Sequence, residues 1–322
     1  MNKIEKMILV ICLTLMLGSN TRGDVWTTEE SAKKEDPDFS VQGEYGTTTE
    51  GGAKFGVQVV ALGGGKFDSY VLEGGLPGAG WMKSKKRTKT SGATVNGVTS
   101  CKGAGYTAII KAGVLTLFAA GKEVASLERI ERESPSLGAN VPKDAIVLFD
   151  GMNTDEWKNG TMTNGLLIHG TTSKQTFQSY TLHIEFMTPY RPLDRGQGRG
   201  NSGVYHQGRY ETQVLDSFGL EGEMNETGGI YSIAAPLLNM CYPPLRWQTY
   251  DINFTAAVYE GTKKIKNGRI TVKLNGVIIQ KEVELTHATT ARPVKEGPEP
   301  GPIYLQDHGN PVFYRNIWII KK

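Results

Sequence analysis

The chain is poor in cysteine, in long apolar runs and in net charge, and each shortage excludes something. Three cysteines stand among 322 residues. Cys12 lies inside the N-terminal apolar run, which leaves Cys101 and Cys241. Two cysteines make no disulfide framework, and the pair reads as free thiols. Neither has a Cys or His within four positions, so zinc-ligand spacing is absent as well. A bilayer span takes about 20 apolar residues, and the run Met7–Leu17 is too short for one. Lys3 and Lys6 precede it and Gly18-Ser-Asn20 ends it, the pattern of a secretory signal cleaved before Asp24. Nothing after residue 23 resembles a transmembrane helix, which predicts an extracytoplasmic (periplasmic or secreted) protein with no stable membrane insertion. Lys and Arg number 36 against 33 Asp and Glu, and removing residues 1–23 leaves a net charge near +1. That balance supplies no field for nucleic acid or an anionic membrane. Sustained helical periodicity is missing too, which excludes a bundle or coiled coil.

Glycine and strand patterns are what the chain has in quantity. It holds 40 Gly and 14 Pro, well above the roughly 12% that the two usually contribute. Residues 24–38 are charged and read as a polar, solvated leader. From there to 133 the sequence predicts a small Gly-rich β domain. Phe55–Leu62 and Phe67–Leu72 flank Gly63-Gly-Gly65, and further strands turn at Ala112-Gly113 and Ala120-Gly121. Residues 134–145, with Pro135 and Pro142, read as a linker. In the second region Thr181, His183 and Glu185 alternate with Leu182, Ile184 and Phe186, a half-buried strand. Asn275-Gly276 between two apolar runs is the strongest hairpin signal, because Asn-Gly accepts the positive φ angles of a type I′ turn. The fold class is all-β, a sandwich preceded by the small Gly-rich domain.

Three segments could carry chemistry. Arg191, Arg195 and Arg199 alternate with glycines in a loop that lacks the Lys-Ser/Thr of a phosphate loop; it reads as a mobile rim, with a substrate-contacting lid as the alternative. In Asn201–Asp216, period two puts Arg209, Glu211 and Gln213 on one strand face. Such a row is ordinarily a solvated surface, but Gly203 and Gly208 mark close backbone approach. In Gly301–Pro311, Tyr304, Gln306 and His308 share a face; His308 is either a capped turn histidine or, with Glu211, an acid–base pair. A glycosidase carboxylate pair needs about 5–9.5 Å. Glu211 and Asp216 fail it, being five positions apart and on opposite faces. The basic run Lys83, Lys85, Lys86, Arg87 and Lys89 reads as a solvated loop, with a polyanion contact as the alternative.

Six motifs then occur in one order: Leu148-Phe-Asp-Gly151 with Trp157; Asn201-Ser-Gly-Val-Tyr205; Gly208–Ser217; Trp247-Gln-Thr-Tyr-Asp251; Leu274-Asn-Gly-Val277; and Gly301–Pro311 with Phe313–Ile317. Together they resemble the 3-keto-disaccharide hydrolase family over residues 146–322. The resemblance implies a concanavalin A-like jelly-roll sandwich whose concave sheet binds sugar, and an oligosaccharide or glycoside substrate already oxidised at C3. A C3 ketone acidifies the C2 proton, so one base can expel the C1 aglycone without a carboxylate pair. On this reading Glu211 and His308 serve as base and acid in unassigned order, and Arg209 stabilises the enolate. Asn201, Tyr205, Gln213, Asp216, Gln306 and Asp307 contact the substrate; Asp216 alternatively orients the neighbourhood of Arg209 or holds a divalent metal such as calcium. His206 departs from expectation, since its position should be apolar or uncharged. A lectin-like sugar-binding module and a structural envelope protein are the competing readings.

Overall fold

A computed structural model describes residues 24–46 and 54–322. The predicted signal segment lies outside the described residues.

Residues 43–130 form a closed antiparallel barrel of eight strands: β1 (Gly43–Tyr45), β2 (Phe55–Gly63), β3 (Lys66–Glu73), β4 (Arg87–Val95), β5 (Val98–Gly103), β6 (Tyr106–Lys111), β7 (Val114–Ala119) and β8 (Lys122–Ile130). It is a meander from β2 to β8, closed by β1, which pairs with both ends. Closure abolishes sheet edges, which is how so Gly-rich a unit avoids edge-to-edge association. Ala112-Gly113 and Ala120-Gly121 turn as read from the sequence, each with two consecutive positive φ angles.

The leader is not a solvated tail. Residues 29–35 and 38–41 form two short helices with Ala32 and Phe39 buried. Trp26 pairs by backbone with Tyr190, tying the leader to the second half of the chain. The side chain of Thr28 caps the first helix by accepting from the Ser31 amide.

The second half contains β9 (Ile146–Phe149), β10 (Trp157–Lys158), β11 (Met162–Thr163), β12 (Leu166–Ile168), β13 (Thr171–Ser173), β14 (Tyr180–Met187), β15 (Ser202–His206), β16 (Tyr210–Val214), β17 (Gln248–Thr255), β18 (Gly268–Leu274), β19 (Val277–Leu285), β20 (Tyr304–Leu305) and β21 (Phe313–Lys321). The larger sheet runs β11-β12-β21-β14-β17-β18-β19, with β9 also beside β21; the smaller runs β10-β13-β20-β15-β16. One apolar core joins them, with Leu182, Ile184 and Phe186 from the larger sheet and Val204, Val214 and Leu305 from the smaller. This is a β-sandwich, as the sequence predicts. The Asn275-Gly276 turn connects β18 to β19 with φ of 51° and 80°.

One expectation about exposure fails because the chain covers its own surface. His183 and Glu185 are buried beneath the linker. Ser136 Oγ donates to Asp251 (2.6 Å), whose other oxygen meets His183 Nδ1 at 2.6 Å, and the Gly138 amide donates to Glu185 (2.6 Å). Hydrogen bonds from His183, Asn316, Arg315 and Gly138 outweigh burial and hold the Glu185 carboxyl down at about 2. Lys83, Lys85, Lys86 and Lys89 of the basic run are exposed, as the solvated-loop reading expects, although two side chains of the run also reach the second half of the chain. Lys83 donates to the Gly222 and Pro236 carbonyls (both 2.9 Å), and Arg87 pairs with Glu221 while lying 3.9 Å from the Tyr70 ring centre. Val60 and Tyr70 of the barrel share a small apolar cluster with Phe218 and Cys241 of the sandwich. Cys101 and Cys241 are both free and buried, and burial pushes their thiols up to about 11 and about 12. They are unreactive positions.

Candidate active site

Strands β15 and β16 form a hairpin through Gln207-Gly208, both at positive φ. Its register sets Tyr205 opposite Glu211 and Gly203 opposite Gln213. Period two then sends Thr212 and Val214 into the core, and Glu211 and Gln213 to the sheet's other face. That face is not solvated: loops cover it. The Thr289 hydroxyl accepts from the Glu211 amide (3.0 Å) and the Tyr231 amide donates to the Glu211 carbonyl (3.1 Å), so the β16 edge is bonded by loops instead of a further strand.

Between those loops a cleft of about 170 Å³ opens over the sheet, lined by Gln197, Asn201, Tyr205, Glu211, Gln213, Tyr231, Thr290, Ala291, Gln306 and His308. Glu211 is only 3% exposed. Burial pushes its carboxyl up to about 7, against the opposing effect of the Tyr205 hydroxyl, which donates to it at 2.8 Å. A carboxyl poised near neutrality in a polar cleft has the property a general base needs. Its place depends on Gly203: a Cβ there would lie 2.2 Å from Glu211 Oε1 and 2.9 Å from Cγ and Cδ. The glycine is a matter of space, since its backbone has no positive φ.

The other groups suit hydroxyl recognition. Gln306 Nε2 donates to the Tyr205 hydroxyl (3.3 Å), while its buried Oε1 has no partner, an acceptor open to a donor from outside the chain. Gln213 Nε2 donates to Asn201 Oδ1 (2.8 Å), and Asn201 Nδ2 to the carbonyl and side chain of Gln197 (both 3.0 Å). His308 is exposed at the mouth.

Six of the sequence-predicted residues thus meet round one cleft: Asn201, Tyr205, Glu211, Gln213, Gln306 and His308. Three do not. Arg209 points past the hairpin turn, where its guanidinium donates to the Lys295 carbonyl (2.8 Å), the Glu299 carbonyl (2.9 Å) and Gln207 Oε1 (3.0 Å); it fastens a loop and is not placed to meet an enolate. Asp216 is buried against Arg199 Nε (2.7 Å) with no access to the cleft, so neither sugar contact nor a metal role fits it. Asp307, in the loop after β20, is exposed outside the cleft lining and sits 3.3 Å from His169. Among the described residues no group of three or more His, Cys, Asp and Glu side chains is placed to hold a metal ion. His206 is resolved as a core residue. Its ring lies between the Tyr180 hydroxyl (2.9 Å) and Thr212 Oγ1 (3.0 Å), stacks on Phe254, and burial drives it down to about 3, so it is uncharged.

No sequence motif marks Gln197, Tyr231, Thr290 or Ala291. Gln197 hides in the Arg/Gly loop, and the others come from distant loops without motif. Ala291 holds φ of 57°, but Ala112 and Ala120 are also at positive φ in plain hairpin turns, so the angle marks a turn and not a site.

The family model described as the 3-keto-alpha-glucoside-1,2-lyase-like domain matches residues 144–320. No curated protein matches the chain. Two solved structures of putative glycosyl hydrolases from Parabacteroides distasonis ATCC 8503 are similar. One is 34% identical with a TM-score of 0.52, covering 56% of this chain and 85% of its own. The other is 20% identical with a TM-score of 0.42, covering 56% and 94%.

Proposed function

The chain belongs to the family of 3-keto-alpha-glucoside-1,2-lyase-like domains, and from that premise we propose that it cleaves 3-keto-glycosides in an extracytoplasmic compartment, with Glu211 as the base. At the coarser level the family makes it a carbohydrate-cleaving enzyme of glycosyl-hydrolase type. The observation that carries the finer reading is a lone buried carboxyl. Glu211 is the one carboxylate among the described residues that line the cleft, whereas ordinary glycoside hydrolysis employs two. One carboxylate suffices when the substrate carries a C3 ketone.

The Glu211 carboxylate takes the C2 proton, and the C–H electron pair moves into the C2–C3 bond as the ketone becomes an enolate. The enolate then reforms the C3 ketone, a double bond forms between C1 and C2, and the C1–O bond breaks. The departing aglycone oxygen collects a proton, for which His308 at the mouth is the available acid. Addition of water, hydroxyl to C1 and proton to C2, completes net hydrolysis; release of the enone beforehand is a lyase reaction. With Arg209 committed elsewhere and His308 assigned to the leaving oxygen, enolate stabilisation falls to another cleft hydrogen-bond donor such as Tyr231. Asn201, Gln213 and Gln306 hold hydroxyls. Gln306 Oε1, buried without a partner, suits a sugar hydroxyl better than an apolar group.

The test is aglycone release by the exported chain from a 3-keto-glucoside and from its unoxidised parent. Release from the keto form alone is expected, and Glu211→Gln should lower kcat by about 10²–10⁴, the usual worth of a positioned base. Equal release from both sugars, or none from either in a folded protein that binds them, would overturn the reading; the second result would describe a lectin. N-terminal sequencing of the exported protein, expected to begin at Asp24, tests the compartment.

A further inference from the structure

We propose that the N-terminal barrel is part of the sugar site: it positions one wall of the cleft through Arg199. The inference rests on the keto-glycoside reading for what the wall does, but not for how the wall is held.

Loop 189–200, expected to be a mobile rim, is bolted to the barrel along its length. At its start Tyr190 is fully buried in the apolar cluster that joins the leader to Val57, Val59 and Phe67 of the barrel; its ring centre is 5.3 Å from that of Trp26 and 5.0 Å from that of Phe39, and its hydroxyl donates to Asp36 (2.9 Å), all three in the leader. In its middle Leu193 occupies the space a Cβ at Gly63 would need, and Arg195 donates to the Leu62 carbonyl (3.1 Å). At its end Arg199 is 5% exposed and its side chain reaches three ways: to Asp216 just beyond β16 (2.7 Å), to the Ala61 carbonyl of β2 (3.3 Å) and to Gln42 Oε1 (3.4 Å). Gln42 Oε1 also accepts from the Ala61 amide (3.0 Å), so acceptor and strand are fixed to each other.

What this clamp holds is the cleft wall. The Arg199 amide closes a turn on Gly196 (3.0 Å), and its carbonyl accepts from the Asp216 amide (3.1 Å). Gln197 and Asn201 flank it by two positions on either side, and both line the cleft. Asn310 extends the brace to the opposite side: Oδ1 accepts from the Gly200 amide (3.0 Å) and from Arg191 (2.8 Å), while Nδ2 donates to the His308 carbonyl (3.1 Å). A buried, charge-paired arginine contacting the barrel thus sets the two residues that would orient the sugar. Arg199 is a positioning residue and does not itself face the cleft.

Three variants of the full mature chain test this: Arg199→Ala, Arg199→Lys, and Gln42→Ala, the last at the residue just before β1 that is bonded to β2. Hydrogen exchange should accelerate in 196–201 and 306–311 in Arg199→Ala, and less in Gln42→Ala, while β17 and β21 stay protected. With keto-glucoside, Arg199→Ala should raise KM about tenfold, the loss of one or two substrate hydrogen bonds, with kcat within about threefold. The pH midpoint of kcat/KM should not move, because Glu211 is untouched. Arg199→Lys, which keeps the charge, should recover part of the KM. Unchanged exchange in a folded Arg199→Ala, or loosened exchange with unchanged KM, would overturn the proposal. A fall in kcat and KM alike in both the Ala and Lys variants, with general loss of protection, would also overturn it, reducing Arg199 to a structural ion pair. If the wild type turns over no keto-sugar, the exchange result still decides how the wall is held, and only the keto-glycoside reading fails.

Discussion

Gly203→Ala is the sharpest test of where the chemistry happens, because it leaves every polar group in the cleft intact. The added Cβ would sit 2.2 Å from Glu211 Oε1, where ordinary contact begins at 3.4 Å. The carboxylate must therefore retreat by about 1 Å, a displacement that can cost about 10² in rate when it moves a reacting group. That is about 2.7 kcal/mol of transition-state stabilisation. The fold should survive, since the clash is with a side chain and the backbone at 203 needs no positive φ. Losing the Tyr205–Glu211 hydrogen bond costs about 1 kcal/mol or somewhat more, and replacing a strand glycine by alanine returns about 0.5–1 kcal/mol. Net stability should change by less than about 1 kcal/mol. Initial rates of aglycone release across substrate concentration, with a thermal melt on the same preparation, provide the assay. The expected result is a kcat near one hundredth of wild type at nearly unchanged melting temperature. A folded Gly203→Ala enzyme with kcat within threefold of wild type would refute Glu211 as the base at its observed position.

The same carboxyl makes two pH predictions. As a base held up near 7, Glu211 should give a kcat/KM that rises with pH and reaches half its plateau near pH 7. Its folded pKa lies above its ordinary 4.5, so its contribution to stability is fully present below pH 4.5 and lost as pH rises through about 7. Urea melts across that window should show the decline in wild type and a flatter profile in Glu211→Gln. Arg209→Ala separates fastening from catalysis. Removing three largely buried hydrogen bonds should cost about 3 kcal/mol or more in a urea melt and speed hydrogen exchange in 293–299. Abolished turnover at unchanged stability would instead restore Arg209 as an enolate stabiliser.

Local patterns in the sequence settle local structure. Alternation, Gly-Gly and Asn-Gly turns and the absence of a 3.6-residue period suffice for an all-β chain, because strand faces and turn angles are decided within a few residues. The parity of β15 and β16 likewise places Glu211 with Gln213, and Gly203 with a close approach. Parity cannot say what lies above a face, however. Arg209 shares the side of Glu211 yet is claimed by the carbonyls of 295 and 299, and His183 and Glu185 look solvent-facing until the linker lies across them. Asp216 and Arg199 are 17 positions apart and pair through the interior, and Tyr231, Thr290 and Ala291 reach the cleft from loops with no periodicity to read. Those outcomes depend on which segments meet in space. Desolvation of Glu211 and the docking of the barrel against loop 189–200 are properties of that meeting, and only the tertiary structure decides them.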